Sequence, residues 1–355
     1  MRINKQFQLE PMIMKIKNLV RENIIGLSPY SSARDEFNSS NDFIYLDANE
    51  SSYQSDLNRY PDNRHIQLTK LISSYKNIKA ENLVLCNGTD ELIDLVIRVF
   101  CKPGVDSIIT LNPTYGMYNV SSKINDVENI KIELDKNFQI DIDKVISRFN
   151  SKTKIIFIAN PNNPTGNKFD QDDILKIIKS FKGIVFIDEA YVDYSNESFL
   201  NKIYSYNNLI ISQTFSKALG LAGIRLGVGY SNEEIIYYLK KIKPPYNINS
   251  LTEKKAIESL TKQYVDIDQV NETINERKSL ELKLKELDFI STVFPSNSNF
   301  LLIKVDDANK RYKQLIDHAI VVRNRANIKG CENCLRITVG TPEQNKILIN
   351  TLKKI

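Results

Sequence analysis

The features that the chain lacks exclude several classes of protein before any motif is considered. It has 355 residues, no tryptophan, four cysteines, 12 glycines and 11 prolines. So few cysteines in so long a chain indicate reduced thiols rather than a disulfide framework. No apolar run reaches the roughly 20 residues that a membrane helix needs. Lys15 and Lys17 interrupt the apolar stretch near the N-terminus, which therefore does not resemble a signal peptide. We expect a cytoplasmic globular protein.

The scarce cysteines and histidines do not predict a metal site. Cys331 and Cys334 form a C-x-x-C pair, but a structural zinc ion needs four ligands. The other candidate ligands stand alone along the chain: Cys86, Cys101, His65 and His318. We therefore expect neither zinc binding nor redox chemistry at the pair, and no metal elsewhere.

The charge balance is mild. The chain carries 48 lysines and arginines against 43 acidic residues, a net charge of +5. No basic stripe with interleaved aromatic residues is present, so a nucleic-acid partner is not expected. A small positive excess fits anionic small-molecule substrates.

Apolar runs and helical patterns alternate between residues 61 and 243. This alternation predicts a mostly parallel sheet covered by helices on both faces. After Pro244 and Pro245 the pattern changes to a long helical stretch over 251–288 and then short strands and helices. We therefore predict an N-terminal arm (1–46) ending in a strand at 44–46, a large domain (47–245) and a smaller α+β domain (246–355). The predicted large-domain strands are 83–86, 107–111, 154–159, 184–187, 209–212 and 225–230.

Polar clusters follow several of these strands, where open α/β sheets bind ligands. Gly88-Thr89-Asp90 opens a helix, whose free amides and dipole suit a phosphate. Asn163 lies in a proline-rich turn, and Asp188 ends a strand, with Tyr191 three residues later. Taken alone, each has an ordinary alternative: a helix cap, a turn or a strand-end carboxylate.

Lys217 gives these clusters a shared chemistry. It follows a buried strand, lies among Thr214 and Ser216, and precedes Arg225 by eight residues. A lysine beside hydroxyls and a fixed arginine suits a Schiff-base lysine next to a bound phosphate. In isolation it would be an exposed loop lysine. Burial and the charge of Arg225 would lower its pKa, and the neutral amine could then act as general base and general acid.

The other clusters supply what pyridoxal phosphate requires. Asp188 would keep the pyridine nitrogen protonated, which makes the ring an electron sink. Asn163 and Tyr191 could reach the 3′-oxygen of the ring. Thr214, Ser216 and Arg225 would hold the phosphate together with the helix at Gly88.

Six ordered motifs carry a resemblance to a known family. NGTDE, NPTYGMY, NPNNPTG, DEAY, SKALGLAGIRLG and CLRITVGT occur in this order over some 250 residues. The chain resembles the fold-type I, pyridoxal-phosphate-dependent aminotransferases over nearly its whole length. The resemblance implies a seven-stranded, mostly parallel sheet flanked by helices, a smaller C-terminal domain, and an arm that packs on the small domain or on a dimer partner.

The resemblance also implies roles for individual residues. Lys217, Asp188 and Tyr191 match catalytic positions, and Tyr115 matches the aromatic residue that stacks on the cofactor ring. Tyr60 matches a tyrosine given across a homodimer interface to the neighbouring cofactor phosphate. The cofactor set is Lys217, Gly88, Thr89, Asp90, Tyr115, Asn163, Asp188, Tyr191, Thr214, Ser216, Arg225 and Tyr60.

The substrate residues come from the same resemblance. Arg336 matches the arginine that grips an α-carboxylate, for which a bidentate guanidinium is suited. Tyr30, Asn49 and Arg323 match positions near the substrate's distal end. The implied reaction moves an amino group between a phosphorylated imidazole amino alcohol and 2-oxoglutarate, in histidine biosynthesis. An aromatic aminotransferase and a phospho-amino-acid decarboxylase remain open alternatives. A non-enzymatic member of the fold is disfavoured by the intact set around Lys217.

Overall fold

The computed structural model describes residues 15–31, 43–262 and 265–355. One sheet has seven strands: β1 Leu83–Asn87, β2 Ser107–Asn112, β3 Glu128–Glu133, β4 Thr153–Ala159, β5 Ile184–Asp188, β6 Leu209–Thr214 and β7 Leu226–Tyr230. Their spatial order is β1-β7-β6-β5-β4-β2-β3. Only β7 runs against the other strands of this sheet, pairing antiparallel with both β1 and β6. The predicted mostly parallel, seven-stranded sheet is confirmed.

Both faces of this sheet are buried because apolar side chains occupy successive positions along its strands. On β4, Ile156 and Ile158 belong to one core cluster, whereas Ile155 and Phe157 belong to the cluster on the other face. Strands buried on both sides read as continuous apolar runs, and this property made most of them predictable. The missed strand is β3, an edge strand in which charged and apolar residues mix.

The α-helices flank the sheet or build the small domain. None in the described residues is long and apolar enough to cross a membrane. Their bounds are α1 Glu22–Ile25, α2 Ile66–Lys76, α3 Gly88–Phe100, α4 Met117–Ile124, α5 Ile142–Ile146, α6 Gln171–Ser180, α7 Glu233–Ile242, α8 Ser250–Lys262, α9 Ile267–Lys285, α10 Ala308–Asp317 and α11 Pro342–Leu352. Short 3-10 helices lie at Ile16–Asn18, Ala80–Asn82, Val192–Tyr194, Leu200–Tyr204 and Ala222–Ile224.

The small domain is built on an antiparallel sheet of four strands in the order β10-β11-β9-β8. Apolar side chains from α9, α10 and α11 join those of the strands in a separate core. The strands are β8 Ile290–Val293, β9 Phe300–Val305, β10 Arg323–Asn324 and β11 Cys334–Thr338.

The segment after the predicted domain boundary packs on both domains. The long helical stretch over 251–288 is two helices, α8 and α9. The core of the large domain contains Ala256 and Leu260 of α8, together with Ile248 just before this helix. Leu280 and Leu284 of α9 are buried in the core of the small domain. α8 therefore packs on the large domain and α9 on the small one, and the boundary at 245/246 stays a prediction.

The N-terminal arm contacts the large domain through the residues around its first helix. Ile16, Val20 and Ile24 are buried in a large-domain cluster with residues of α3 and α7. The Arg21 amide donates a 2.9 Å hydrogen bond to the Val99 carbonyl. This part of the arm therefore lies on the large domain, and the packing of the arm on the small domain or on a dimer partner stays a prediction. The strand predicted at 44–46 is irregular chain.

Candidate active site

A cavity of about 440 Å³ lies at the edge of the large sheet where the parallel strands end. The turns after β1, β4, β5 and β6 form its floor, and β10 and β11 of the small domain form a wall. Its lining contains Thr89, Asp90, Tyr115, Ala159, Pro161, Asn163, Asp188, Ala190, Tyr191, Thr214, Ser216, Lys217, Ala222, Arg225, Arg323, Arg325 and Arg336. Most of the predicted site residues are therefore together.

The N-terminus of α3 is one end of this cavity. Gly88, its first residue, has a left-handed φ of +74°. The preceding residue, Asn87, makes no side-chain hydrogen bond to the first turn. Thr89 and Asp90, the alternative cap residues, lie inside the helix and not at its N-cap position. The amides at the start of the thirteen-residue helix are therefore available to another acceptor.

Glycines keep this end of the cavity open. A Cβ on Gly88 would lie 2.7 Å from Nη2 of Arg225. A Cβ on Gly227 of β7 would lie 2.5 Å from the Thr89 amide nitrogen. Both separations are shorter than real Cβ contacts. At Gly227 the neighbour is backbone, so a side chain is excluded, whereas at Gly88 a side chain would be strained by the left-handed φ and would displace the end of Arg225. The strand and the guanidinium can thereby approach the backbone at the start of α3.

Arg225 and the hydroxyl groups of Thr214 and Ser216 lie beside the start of α3, and we call this group of donors the phosphate cradle. Nη1 of Arg225 lies 3.5 Å from Oγ of Ser216, and Oγ1 of Thr214 accepts a 3.2 Å hydrogen bond from the Ser216 amide. Nη2 of Arg225 lies 3.7 Å from Oδ2 of Asp90. Helix amides, hydroxyls and a guanidinium in one place form a donor set that fits a phosphate group.

Asp90 has contacts that its motif did not predict. Its Oδ1 accepts a 2.9 Å hydrogen bond from the hydroxyl of Tyr115, and its Oδ2 faces Arg225. A carboxylate would repel a phosphate. The two contacts of Asp90 instead hold the ring of Tyr115 and the guanidinium of Arg225 in place.

Asp188 is buried at the end of β5 and held by three donors. Oδ2 accepts a 2.7 Å hydrogen bond from the Tyr118 hydroxyl. Oδ1 accepts from Oγ of Ser212 at 3.2 Å and from the Ala190 amide at 3.1 Å. Burial raises the pKa of Asp188, whereas these three hydrogen bonds oppose the rise. The donors therefore favour the ionised carboxylate in a poorly solvated place.

Asn163 and Tyr191 connect the large domain to Arg336. Oδ1 of Asn163 accepts a 2.5 Å hydrogen bond from Nη1 of Arg336, which leaves the Nδ2 amide as its donor. Tyr191 packs edge-to-face on Phe300, with ring centroids 5.2 Å apart. Burial raises the pKa of Tyr191 to about 12, although the charge of Arg336 opposes the rise. The phenol therefore remains protonated at neutral pH.

Lys217 lies in the turn after β6, open to the cavity, with Nζ 5.6 Å from the centroid of the Tyr191 ring. Partial loss of solvation around its amine is the main cause that lowers its pKa. The charges of Arg336 and Arg225 lower it further, against an opposing effect of Asp188. The expected contribution of Arg225 is present, and the larger contribution of Arg336 was not anticipated.

Some predicted residues lie outside this cavity. Tyr60 is half exposed and stacks on Tyr246, with ring centroids 4.5 Å apart. Asn49 lies with Tyr60 in a separate groove. Tyr30 is exposed in another groove beside the start of α2. Within one chain, these three side chains do not meet Lys217.

Sequence reasoning missed three residues of the site. Tyr118 stands in the quoted NPTYGMY motif, but nothing in the sequence showed that its hydroxyl meets Asp188. Ser212 lies inside an apolar strand, and Arg325 follows Arg323 by two residues. Alternation along a strand places residues i and i+2 on one face, and this signal could have identified Arg325.

Cys331 and Cys334 have packing roles. Both side chains are buried in an apolar cluster with Phe138 and Leu302. Burial is the main cause that raises the pKa of Cys331 to about 12 and that of Cys334 to about 11. Thiols with such pKa values stay protonated at neutral pH and are poor nucleophiles.

The comparisons with known proteins agree with this geometry. Residues 30–352 match the profile of the family described as aminotransferase class I and II. A histidinol-phosphate aminotransferase from Flavobacterium psychrophilum is 49% identical over 342 residues, which cover 96% of this chain and 99% of that protein.

Solved structures share the fold. The histidinol-phosphate aminotransferase from Clostridium acetobutylicum superposes with a TM-score of 0.76 at 29% identity, covering 84% of this chain and 91% of that one. The enzyme of the same name from Sinorhizobium meliloti, in complex with pyridoxal-5′-phosphate, has a TM-score of 0.74 at 20% identity and 83% coverage of each chain.

The chain therefore belongs to the aminotransferase class I and II family and has the fold of its fold-type I members. It is an aminotransferase, of a family whose cofactor is pyridoxal 5′-phosphate. The residues present fit that group. The cradle at Gly88 offers donors for a phosphate, Asp188 offers a buried carboxylate, and Lys217 offers an amine with a lowered pKa.

Proposed function

We propose that this enzyme catalyses the reversible transfer of an amino group from L-glutamate to imidazole acetol phosphate, giving L-histidinol phosphate and 2-oxoglutarate, and that this direction is a step of histidine biosynthesis. One structural observation carries the proposal. Three arginines of the small domain, Arg323, Arg325 and Arg336, line the same cavity as the phosphate cradle. A wall of this charge suits a substrate with a phosphate group. The 49% identity to a relative of that name supports the same reaction.

The cofactor would be held by the residues at the ends of four strands. When bound, pyridoxal 5′-phosphate supplies an aldehyde that joins the substrate amino group and a ring that accepts electrons from the bond broken at the α-carbon. The amides at the start of α3, the hydroxyls of Thr214 and Ser216, and the guanidinium of Arg225 would hold its phosphate. Tyr115, fixed by Asp90, would stack on the ring.

Asp188 would bind the protonated pyridine nitrogen. A carboxylate has about four acceptor positions, and its three donors leave one on Oδ2, the oxygen that Tyr118 holds. The protonated phenol of Tyr191 and the Nδ2 amide of Asn163 would donate to the 3′-oxygen of the ring.

Lys217 would move the proton that the reaction requires. Its Nζ must be neutral to accept a proton from the substrate α-carbon, and its lowered pKa increases the neutral fraction. The resulting ammonium would then deliver the proton to the C4′ carbon of the cofactor. One side chain therefore serves as base and as acid.

The two substrates would share the arginine wall. Arg336, oriented by Asn163, would bind the α-carboxylate of glutamate and 2-oxoglutarate. Arg323 would bind the phosphate of the other substrate. We also retain Tyr30 and Asn49 near the substrate's distal end. Because neither lines the cavity of its own chain, their contribution would require a partner subunit.

The test is a comparison of amino donors with the purified holoenzyme and 2-oxoglutarate. We expect glutamate to form with histidinol phosphate at a kcat/KM well above that with phenylalanine. A higher kcat/KM with phenylalanine would favour an aromatic aminotransferase and contradict the proposal. Release of carbon dioxide from a phosphorylated amino acid, without glutamate formation from histidinol phosphate, would favour a decarboxylase.

We further propose a cytoplasmic homodimer in which Tyr60 reaches the cofactor phosphate of the neighbouring subunit. Its exposure and its distance from the cavity within one chain support this assignment. Mixed dimers of Lys217→Ala and Tyr60→Ala subunits test it. Sharing across the interface predicts recovery of activity in one site of each hybrid. Hybrids no more active than Tyr60→Ala dimers would contradict it.

A further inference from the structure

The arginine wall consists of Arg323, Arg325 and Arg336, and the pairing of two small-domain strands sets their positions. Arg323 on β10 lies directly opposite Arg336 on β11 in the antiparallel register. Arg325 is two residues beyond Arg323, and its amide donates a 2.9 Å hydrogen bond to the Cys334 carbonyl, which continues the ladder. Alternate residues of a strand share a face. The three guanidinium groups therefore project from one face of a two-stranded ribbon into one cavity.

Such a cluster is unfavourable without a bound anion. Like charges opposite one another destabilise a strand pair. Burial, together with the charges of Arg336 and Arg323, lowers the pKa of Arg325 to about 10. Among the described residues, no acidic side chain forms a salt bridge with any of the three within 4.0 Å. Nε of Arg325 is buried there without a hydrogen-bond partner.

The chemistry of the two substrates separates the roles of these arginines. Glutamate carries a carboxylate on the carbon that bears the amino group. Histidinol phosphate has no carboxylate, and its phosphate ester lies one methylene group and one oxygen further out. A phosphate dianion carries more charge and offers more acceptor positions than a carboxylate. It therefore needs donors beyond the single arginine that serves glutamate.

We propose that Arg325 is a specificity-determining residue that selects a phosphate monoester over a carboxylate. This role rests on the proposed function and adds a residue to it. Arg336 is already bound by Asn163, and Arg323 is exposed at the rim. Arg325 is half-buried and lines the cavity, and no side-chain hydrogen bond or salt bridge among the described residues uses its guanidinium, so a phosphate gains most from it.

The test replaces Arg325 by glutamine in the holoenzyme. The ratio of kcat/KM for histidinol phosphate to that for phenylalanine should fall about ten-fold or more, as for loss of a hydrogen bond to a charged group. The kcat/KM values for glutamate and for phenylalanine should change little. Arg325→Lys should recover part of the ratio. Lys329→Gln removes an exposed charge from the same loop and should leave the ratio unchanged.

Competitive inhibition by inorganic phosphate gives a second readout. With glutamate as the varied substrate, the inhibition constant of phosphate should rise about ten-fold in Arg325→Gln. An equal loss for all amino donors, or an unchanged inhibition constant, would overturn the role of Arg325. Wild-type enzyme that cannot use histidinol phosphate would instead overturn the proposed function, and the inhibition constant would still decide whether Arg325 binds phosphate.

Discussion

The hydroxyl of Tyr118 donates a 2.7 Å hydrogen bond to Oδ2 of Asp188, and both side chains are buried. Tyr118 itself is fixed by stacking on Phe157, with ring centroids 4.7 Å apart, and by an edge contact with Tyr115. The tyrosine thus holds the oxygen of Asp188 that retains an acceptor position. It also stabilises the carboxylate against the burial that would protonate it.

Tyr118→Phe should weaken cofactor binding about ten-fold, because a hydrogen bond to a charged group is lost. It should also raise the pKa of Asp188 further. A protonated Asp188 cannot pair with a protonated ring nitrogen, so affinity should be lost on acidification at a higher pH than in the wild type. Titration of the apo-protein with pyridoxal 5′-phosphate at several pH values, followed by absorbance, measures both effects.

Tyr230→Phe is the matched control for this change. Tyr230 is an equally buried tyrosine of the large sheet that does not line the cavity. The Tyr230→Phe substitution should leave the pH dependence of cofactor binding unchanged. If the affinity for pyridoxal 5′-phosphate fell at the same low pH in the wild type and in Tyr118→Phe, the hydroxyl of Tyr118 would not act on Asp188.

Gly88→Ala should damage the phosphate cradle. The residue has a φ of +74°, which costs a non-glycine residue on the order of 1–3 kcal/mol. The new methyl group would also displace Arg225. Affinity for pyridoxal 5′-phosphate should fall about ten-fold or more, whereas affinity for pyridoxal, which lacks the phosphate, should fall less. Gly26→Ala, at φ −81° with no neighbour within 4 Å, is the control. Equal losses for both ligands would contradict a phosphate cradle.

The pKa of Lys217 can be read from its reaction with the cofactor. Only the neutral amine reacts, so the rate of covalent attachment to the apo-protein should rise with pH. The midpoint should lie below the ~10.4 of free lysine. Arg336→Gln removes a charge that lowers this pKa, so its midpoint should move to higher pH. Arg323→Gln should move it less. Identical midpoints in wild type and Arg336→Gln would refute the coupling.

Much of the site could be predicted because the parallel strands end at one edge of the sheet. Gly88, Asn163, Asp188 and Lys217 follow four strands that are buried on both faces, and each strand was readable as an apolar run. Once those strands are parallel, their polar ends must meet. The predicted lowering of the pKa of Lys217 followed from the same geometry.

The remaining features depend on contacts between distant segments. Tyr118 meets Asp188 across 70 residues, and no local pattern specifies which tyrosine of NPTYGMY reaches it. The apolar face of α8 could fit either core, so the change of pattern at Pro244 did not show that α8 packs on the large domain. The arm's apolar residues indicated burial but not the partner. Tyr60 and Asn49 stay predictions because they concern a second subunit.

Mapping the residue that binds the cofactor tests the site assignment most directly. The holoenzyme is treated with borohydride, which fixes the cofactor to its lysine, and the peptides are analysed by mass spectrometry. We predict one modified residue, Lys217, and no modification in Lys217→Ala, which should also lose the visible absorption of the holoenzyme. Modification of another lysine with Lys217 unmodified would contradict the assignment of this cavity as the active site.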